Sequence, residues 1–176
     1  PSVLNTFAYT CAFSVAAAAG GAQTTSVDVS GRYLDWGKRN LALNGIDPER
    51  HRFARMDTFE FFAYAARKKL AYDLVILDPP SFSAGSKKDG VAPWSSVEGY
   101  ARLVREAAGV LKPGGVVLAS SNTVELCRDD GKGLEREIVA GLGGRKPAWV
   151  TLPAAPLDFA RDRDRFAARA FTLAKR

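Results

Sequence analysis

The sequence predicts an α/β fold: a mostly parallel, twisted sheet with helices on both faces and an antiparallel hairpin at its C-terminal end. Short apolar runs alternate with longer amphipathic stretches, which is typical of βα units that feed a parallel sheet. Capping and turn residues separate these runs, so most predicted elements have a defined start or end. The last part of the chain instead has two β-rich runs in succession, which indicates a hairpin.

The predicted strands are the short apolar runs. In chain order they cover residues 2–5, 24–28, 51–54, 74–78 and 116–120, and the two hairpin strands cover 149–152 and 166–173. Two prolines, Pro153 and Pro156, and the charged run 161–165 lie between the hairpin strands. Because the charges of that run alternate in sign, a solvated tip is favoured over a phosphate contact.

Five helices are predicted between the strands, over residues 12–19, 31–43, 58–70, 97–111 and 132–142. The first ends at Gly20-Gly21, and the second runs from an N-cap residue, Ser30, to Asn44-Gly45. Residues 112–115, Lys-Pro-Gly-Gly, predict a tight turn into the next strand. The second helix places four of its apolar side chains near one face: Tyr33, Leu34, Trp36 and Leu41.

Length and composition restrict the class of protein. The chain has 176 residues, of which 47% are hydrophobic, so it can bury one sizeable core, and we expect a single domain over residues 1–176. Its two cysteines, Cys11 and Cys127, are too few for a disulfide framework or a zinc site, so no metal and a reducing, cytoplasmic location are expected. The longest apolar stretches are far too short to cross a membrane, and the first residues carry no signal peptide pattern.

The formal net charge of +6 attracts polyanions and makes nucleic acid a natural partner. Many basic proteins use such a charge only to stay soluble, and charge alone leaves these two interpretations equally open. The single histidine, His51, lies in a loop-like run and is assigned no role. Residues 85–90, which contain two lysines, are the best candidate for a mobile loop.

Candidate ligand-binding residues follow the strands, because ligands of parallel α/β sheets bind beyond the carboxyl ends of the strands. Residues 5–12 follow the first strand and open a helix whose N-terminal amides can meet a polar group. Asp28 ends the second strand, where a carboxylate can accept both hydroxyls of a ribose. Asp57 follows the third strand and can read an adenine edge, although a helix N-cap is an equally good interpretation.

The glycine pattern of a dinucleotide site is missing from the first turn. No Gly-x-Gly-x-x-Gly follows the first strand, and Cys11-Ala12 stands where small residues let a backbone approach a ligand. The sequence therefore argues against a nicotinamide-dependent dehydrogenase.

The segment that follows the fourth strand, Asp78-Pro79-Pro80-Ser81-Phe82, is the most specific in the chain. Two prolines fix the backbone, so Asp78 and the Pro79 carbonyl are expected to be rigid hydrogen-bond acceptors at the mouth of the sheet. Phe82 can stack on a flat ring, and together these groups can hold a planar base that has left its stack. The alternative is a proline-stiffened loop with a buried Phe82.

Residues 120–123, Ser-Ser-Asn-Thr, follow the fifth strand at the same rim. Their neutral polar groups, that of Asn122 among them, can hydrogen-bond a base. Serine and asparagine after a strand are also ordinary turn formers, so both interpretations remain open.

Several of these segments together resemble bacterial large-subunit ribosomal RNA methyltransferases. The segments are residues 5–10, the stretch from Val27 to Gly45 that contains Tyr-Leu-Asp-Trp, and residues 78–83. The match covers roughly residues 3–122 and is most similar to the RlmK half of the RlmKL enzymes, and next to RlmI. The resemblance implies a Rossmann-like class I methyltransferase fold, S-adenosylmethionine as cofactor and large-subunit ribosomal RNA as partner.

The same resemblance implies a role for each candidate residue. The cofactor-binding residues would be Asn5, Phe7, Tyr9, Thr10, Asp28, Val29, Asp57, Thr58 and Asp78. The catalytic residues would be Asp78, Pro79, Phe82 and Asn122. Relatives usually carry glycine where Cys11-Ala12 stands, and they have an RNA-binding region ahead of the first strand, so the chain is expected to be the catalytic part of a longer protein.

The expected reaction is direct methyl transfer to a guanine nitrogen. The RlmK-type enzymes methylate guanine N7, which carries a free lone pair and needs no base to remove a proton. The cytosine C5 enzymes require a cysteine after the fifth strand, and Asn122 occupies that position here. Three alternatives stay open: a cytosine C5 methyltransferase, a non-catalytic RNA-binding module, and a methyltransferase for a small molecule or a protein side chain.

Overall fold

The structure is a computed structural model that describes residues 1–86, 90–153 and 165–173. Its strands are β1 (Ser2–Thr6), β2 (Gln23–Asp28), β3 (Arg52–Arg55), β4 (Tyr72–Leu77), β5 (Phe82–Ser83), β6 (Trp94–Ser95), β7 (Leu111–Ser121), β8 (Pro147–Val150) and β9 (Ala167–Leu173). Its helices are α1 (Ala12–Ala19), α2 (Gly31–Leu43), α3 (Thr58–Arg67), α4 (Ser96–Gly109) and α5 (Val124–Gly141).

Seven strands form one sheet in the order β3-β2-β1-β4-β7-β9-β8. The first five strands in this spatial order, β3, β2, β1, β4 and β7, are parallel to one another. Strand β9 pairs antiparallel with both β7 and β8. This confirms the predicted mostly parallel sheet with a closing hairpin. The strand order reverses between β1 and β4, and a crevice at such a switch point is the usual ligand site of a doubly wound sheet.

Helices cover both faces of the sheet because alternate strand residues point to opposite sides. Val3 and Ile76 pack with Ala22 on the face covered by α1 and α2. Leu4 and Val75 belong to the larger cluster, which also holds the buried side chains of α3, α4 and α5. Among the described residues, no helix is long and apolar enough to span a membrane.

One part of the amphipathic pattern predicted for helix α2 was wrong. Its buried residues are Leu34, Gly37 and Leu41, at spacings of three and four. Trp36 lies two positions after Leu34, about 200° around the helix axis, and is 49% exposed instead of facing the core with Leu34 and Leu41.

Helix α3 ends three residues earlier than expected, at Arg67 instead of residue 70. Lys69 adopts a left-handed conformation with a φ of 53°, and the amide of Leu70 donates back to the carbonyl of Ala65 at 2.9 Å. This is a helix-terminating motif that usually contains glycine. Because a lysine occupies that position here, the sequence pattern did not indicate where the helix ends.

The predicted turn over residues 112–115 is part of β7. Tyr72 pairs with Leu111 and Leu74 pairs with Val116, so four residues of β7 oppose one residue of β4. The turn is therefore a large bulge inside the strand, and the predicted helix over 97–111 ends before it, at Gly109.

Helix α5 begins at Val124, eight residues before the helix predicted at 132–142. Four residues with non-helical dihedrals, 128–131, divide it, and three of them, Asp129, Asp130 and Gly131, have positive φ. The predicted helix corresponds to the part after this kink.

The short hairpin of β5 and β6 was not predicted. Phe82 pairs with Ser95 and Ser83 with Trp94, and a further bridge joins Ser86 to Val91. The lysine-rich part of the loop expected at 85–90, and residues 161–164 of the charged run 161–165, lie outside the described residues.

Candidate active site

A cavity of about 960 Å³ opens at the switch point between β1 and β4. Nine of the residues singled out in the sequence line it: Phe7, Tyr9, Asp28, Val29, Asp57, Thr58, Asp78, Pro79 and Asn122. These residues come from the ends of β1, β2, β3, β4 and β7, which are distant in the sequence. The parallel sheet brings them together because its strands all end at the same edge.

The turn after β1 is rigid although it contains no glycine. Phe7, Tyr9 and Cys11 all have positive φ, at 53°, 47° and 62°. Such values are uncommon for residues other than glycine and persist only where the surroundings enforce them. Hydrogen bonds do so here: the amide of Ala8 donates to the carbonyl of Val27 at 2.9 Å, and that of Cys11 donates to the carbonyl of Ala8 at 2.7 Å.

Cys11 does not block the approach of a ligand to the backbone of the turn, because its side chain points away from the cavity. The thiol is fully buried, and a Cβ added to Gly37 of α2 would lie 2.3 Å from its sulfur. The missing side chain of Gly37 therefore provides the space that the thiol fills. The backbone of the turn can approach a ligand here as it does where glycine stands, so the altered turn fits an S-adenosylmethionine site.

Two carboxylates at this rim are held by backbone amides. Asp28 Oδ2 accepts the amide of Tyr9 at 2.9 Å, and its Oδ1 accepts the amide of Ser30 at 2.8 Å. Asp57 caps α3 through Oδ1, which accepts from Phe59 at 2.8 Å and from Glu60 at 3.3 Å. The expected N-cap role of Asp57 is therefore present, and its Oδ2 has no hydrogen bond within the described residues.

Asp78 is supported by β7 and α4. Its Oδ1 accepts the hydroxyl of Ser120 at 2.6 Å, and the hydroxyl of the buried Tyr100 donates to the Ser120 carbonyl at 2.7 Å. Burial, and next the nearby Asp78 carboxylate, raise the pKa of Tyr100 well above its ordinary value, so Tyr100 remains a donor at neutral pH. Ser120 therefore orients Asp78, a role that neither interpretation of residues 120–123 included.

The Pro79-Pro80 turn is fixed by β6 and the start of α4. The Pro80 carbonyl accepts the indole N–H of Trp94 at 2.8 Å and the hydroxyl of Ser96 at 2.9 Å. The Pro80 carbonyl is engaged in this way, and the neighbouring Pro79 is buried and lines the cavity.

Asn122 faces the same turn from the end of β7. Its Oδ1 accepts the hydroxyl of Ser81 at 2.8 Å, so its Nδ2 is left as a donor toward the cavity.

Three candidate residues do not line the cavity. Asn5 is buried in β1, where its Nδ2 donates to the Ser14 hydroxyl at 2.9 Å, and the Thr10 carbonyl accepts from Asn40 of α2 at 2.9 Å. Both residues hold the first turn in place instead of lining the cavity. Phe82 is 69% exposed and points away, because adjacent residues of a strand face opposite sides and Ser83 is the one that faces inward.

Several residues that line the cavity were missed from the sequence. Trp94 packs between Phe7 and Phe59, with ring centroids 5.9 and 5.8 Å apart, and the guanidinium of Arg102 lies 4.2 Å from the centre of the Phe59 ring. A possible signal was Gly99, where a Cβ would lie 2.3 Å from the Trp94 ring. A glycine in the first turn of a predicted helix, five residues after a tryptophan, indicates such close packing.

The lining of the cavity, as far as the described residues form it, is acidic and contains no thiol or imidazole. Cys11 and Cys127 are both buried away from it, and burial raises the pKa of the Cys11 thiol. His51 accepts from the amide of Thr24 at 3.2 Å, near the amino end of β2 and thus at the opposite edge of the sheet. Within the described residues, no cluster of His, Cys, Asp and Glu side chains could hold a metal.

Comparisons with known proteins agree with this arrangement. The model of the S-adenosylmethionine-dependent methyltransferase family matches residues 1–134. The ribosomal RNA large subunit methyltransferase K of Neisseria meningitidis serogroup B is 40% identical over 128 residues, which are 72% of this chain and 36% of that protein. The K/L enzyme of Syntrophotalea carbinolica is 37% identical over 162 residues, 92% of this chain and 21% of that protein.

The similarity extends to solved structures. The crystal structure of SMU.776 complexed with SAH superimposes with a TM-score of 0.83 at 35% identity, over 98% of this chain and 44% of that one. This chain therefore spans about a third or less of the length of the curated relatives and under half of that structure. The fold, the cavity and these matches show that the chain belongs to the S-adenosylmethionine-dependent methyltransferase family.

Proposed function

We propose that this chain transfers a methyl group from S-adenosylmethionine to a guanine nitrogen in large-subunit ribosomal RNA. The observation that carries the proposal is the set of carboxylates at the switch point, Asp28, Asp57 and Asp78, which line one cavity with fixed orientations. Two relatives that carry ribosomal RNA large subunit methyltransferase names support the RNA substrate.

Asp28, Asp57 and the first turn are the residues that would hold the cofactor. Both Asp28 oxygens already accept a backbone amide, which orients the carboxylate while leaving lone pairs for two ribose hydroxyls. The cap bonds orient Asp57 in the same way, and its Oδ2 can accept from an adenine amino group. A bound sulfonium supplies an electrophilic methyl group, and the acidic lining favours a cationic ligand.

The remaining rim residues complement guanine. Guanine offers N–H donors on its Watson–Crick edge and acceptors at O6 and N7. Asp78 and the Pro79 carbonyl are acceptors, and the Nδ2 of Asn122 is a donor, so both kinds of group on guanine have partners. Because N7 carries a free lone pair, the work of these residues is to align the base and exclude water.

The absence of a thiol from the cavity argues against the cytosine C5 reaction. That reaction needs a cysteine nucleophile, and the raised pKa of Cys11 keeps its buried thiol protonated at neutral pH. A nitrogen acceptor avoids this requirement.

Calorimetric titration with S-adenosylhomocysteine tests the cofactor site first. We expect the chain to bind with a Kd in the micromolar range, roughly −8 kcal/mol. Asp28→Ala should weaken binding by about tenfold or more, because hydrogen bonds to a charged group are lost. Asp35→Ala, which removes an exposed carboxylate of α2, is the matched control and should bind normally. Normal binding by Asp28→Ala would contradict the proposed cofactor site.

The substrate is tested by methyl transfer to unmodified large-subunit ribosomal RNA, followed by mass spectrometry of the nucleosides. We expect a methylated guanosine. Methylation at C5 of cytidine, or cofactor binding with no transfer to any RNA, would overturn the proposed reaction.

A further inference from the structure

The outward side of α2 combines basic and aromatic side chains in one stripe. Arg32, Trp36, Arg39 and Leu43 follow one another at spacings of four, three and four, which aligns them along one face of a helix. We call these four residues the α2 outer face. All four are exposed, Trp36 at 49%, because the helix packs on the sheet through its opposite side.

Trp36 differs from the other two tryptophans in its surroundings. Trp94 packs between two phenylalanines, and Trp149 packs edge-on against Phe171 at a centroid distance of 5.9 Å. Within the described residues, Trp36 contacts no other aromatic ring. An indole with a free face in water is a platform on which a flat, unstacked base can be placed.

The charges of the α2 outer face suit a phosphate backbone. Arg32 and Arg39 are seven residues apart, about 10 Å along the helix, with Trp36 between them. The one carboxylate of α2, Asp35, is engaged by Lys38 at 3.2 Å, and the first turn of the helix contains no acidic side chain. The stripe is therefore cationic on both sides of an aromatic ring.

One end of the α2 outer face lies next to the main cavity. Arg32 lines a second cavity of about 450 Å³, which shares Val29, Ser83 and Val91 with the main cavity. Because α2 follows β2 and runs back along the sheet, Arg32 lies at the edge where the carboxylates lie, and Leu43 lies at the far edge. The main cavity itself is acidic, so it is unsuited to a phosphate backbone, and the α2 outer face provides a cationic surface beside it.

We infer that the α2 outer face binds single-stranded RNA next to the methylated nucleotide. Trp36 stacks on an unpaired base, and Arg32 and Arg39 contact phosphates on either side of it. This inference rests on the proposed function, since it names the part of the protein that holds the RNA. Single-stranded RNA is the expected form because a base must leave its helical stack to lie flat on an indole.

Binding of a fluorescein-labelled, single-stranded RNA of about 12 nucleotides, followed by anisotropy, tests the stacking contact. Trp36→Ala should weaken binding by roughly fivefold or more, and Trp36→Phe, which retains a ring, should recover most of the affinity. Trp149→Ala is the matched control, because Trp149 is 47% exposed on β8 at the opposite edge of the sheet. Equal losses for Trp36→Ala and Trp149→Ala would overturn the inference, as would tighter binding to a duplex of the same sequence.

The dependence of Kd on salt tests the two arginines. Arg32→Ala combined with Arg39→Ala should reduce the slope of log Kd against log salt by about 1.4 units, since each lost phosphate contact removes about 0.7 for a single strand. Arg105→Ala combined with Arg136→Ala makes the same change of charge on exposed positions of α4 and α5. An equal change of slope in both double variants would indicate general charge and would contradict a local binding surface.

Titration with S-adenosylhomocysteine separates this inference from the proposed function. All the variants of α2 should bind it as the unchanged chain does, because none of the three substituted residues lines the main cavity. If the unchanged chain fails to bind it or to methylate RNA, the proposed function fails. If the chain methylates RNA and Trp36→Ala does so with the same KM for RNA, only the role of the α2 outer face is wrong.

Discussion

Strand β4 has a carboxylate near each end, and the two have different surroundings. Asp73, near its start, accepts three donors on one oxygen: the Ser2 amide at 2.7 Å, the Ser2 hydroxyl at 2.8 Å and the Lys112 ammonium at 2.8 Å. Asp78, just after its end, accepts one hydroxyl within the described residues, that of Ser120, and faces the main cavity. Asp73 is therefore used to join β1, β4 and β7, whereas Asp78 keeps an oxygen available to a ligand.

The difference shows that the number of donors bound by a carboxylate distinguishes a structural aspartate, Asp73, from a candidate functional aspartate, Asp78. The three donors hold the pKa of Asp73 well below its usual range, with the Lys112 hydrogen bond as the largest cause. A strongly lowered pKa at this position thus reports a structural ion pair, and it is the geometry of the cavity that identifies Asp78.

The largest effect is expected for Asp78→Asn. The substitution keeps the shape of the side chain but removes the charge and one acceptor, so methyl transfer should fall by roughly 100-fold or more. Single-turnover methyl transfer to RNA measures it. Asp73→Asn is the matched control on the same strand and should retain nearly full activity; comparable losses in both variants would remove the distinction drawn between them.

Ser120→Ala should have an intermediate effect. It removes the 2.6 Å hydrogen bond that orients Asp78, so kcat should fall by about tenfold while the Kd for S-adenosylhomocysteine changes little. Steady-state kinetics that separate kcat from KM provide the measurement. The control is Ser121→Ala, which removes a neighbouring buried hydroxyl that accepts from the amide of Thr123. A loss of kcat in the control as large as in Ser120→Ala would mean that any change in this turn has the same effect.

The smallest effect is expected on the free energy of unfolding, for a substitution of Asp73 near the start of β4. Because the folded pKa of Asp73 is lowered, its ionised form stabilises the fold above the ordinary aspartate pKa, near 4, and this contribution is lost as the pH falls further. Acid unfolding followed by circular dichroism should show Asp73→Asn less stable than the unchanged chain at neutral pH, with the difference shrinking below about pH 4. A constant difference at all pH values would contradict this role, and the exposure of the pair keeps the effect small.

Much of the sheet could be predicted because capping and turn residues separate its strands, and because two of them contain continuous apolar runs, at residues 74–77 and 116–119. The ends of α1 and α2 were found because Gly21 and Gly45 occupy the left-handed positions there. The end of α3 was missed because Lys69 adopts the same conformation without glycine. Sequence patterns therefore identify a conformation only where the usual residue is present.

The candidate site was predicted in part for a similar reason. The position of Asp28, Asp57 and Asp78 follows from the rule that ligands bind at the carboxyl ends of parallel strands. The aromatic wall of Trp94 and Phe59 depends on tertiary packing against α4, of which Gly99 is a weak local signal. Phe82 was placed on the wrong side because the short strand β5, which fixes its direction, was not predicted.

The contact between Cys11 and Gly37 restricts how the first turn can change in a lineage of related proteins. A side chain at position 37 and a thiol at position 11 would occupy the same space, whereas glycine at both positions leaves only a small void. Once the thiol is present, position 37 is therefore no longer free to accept a larger residue.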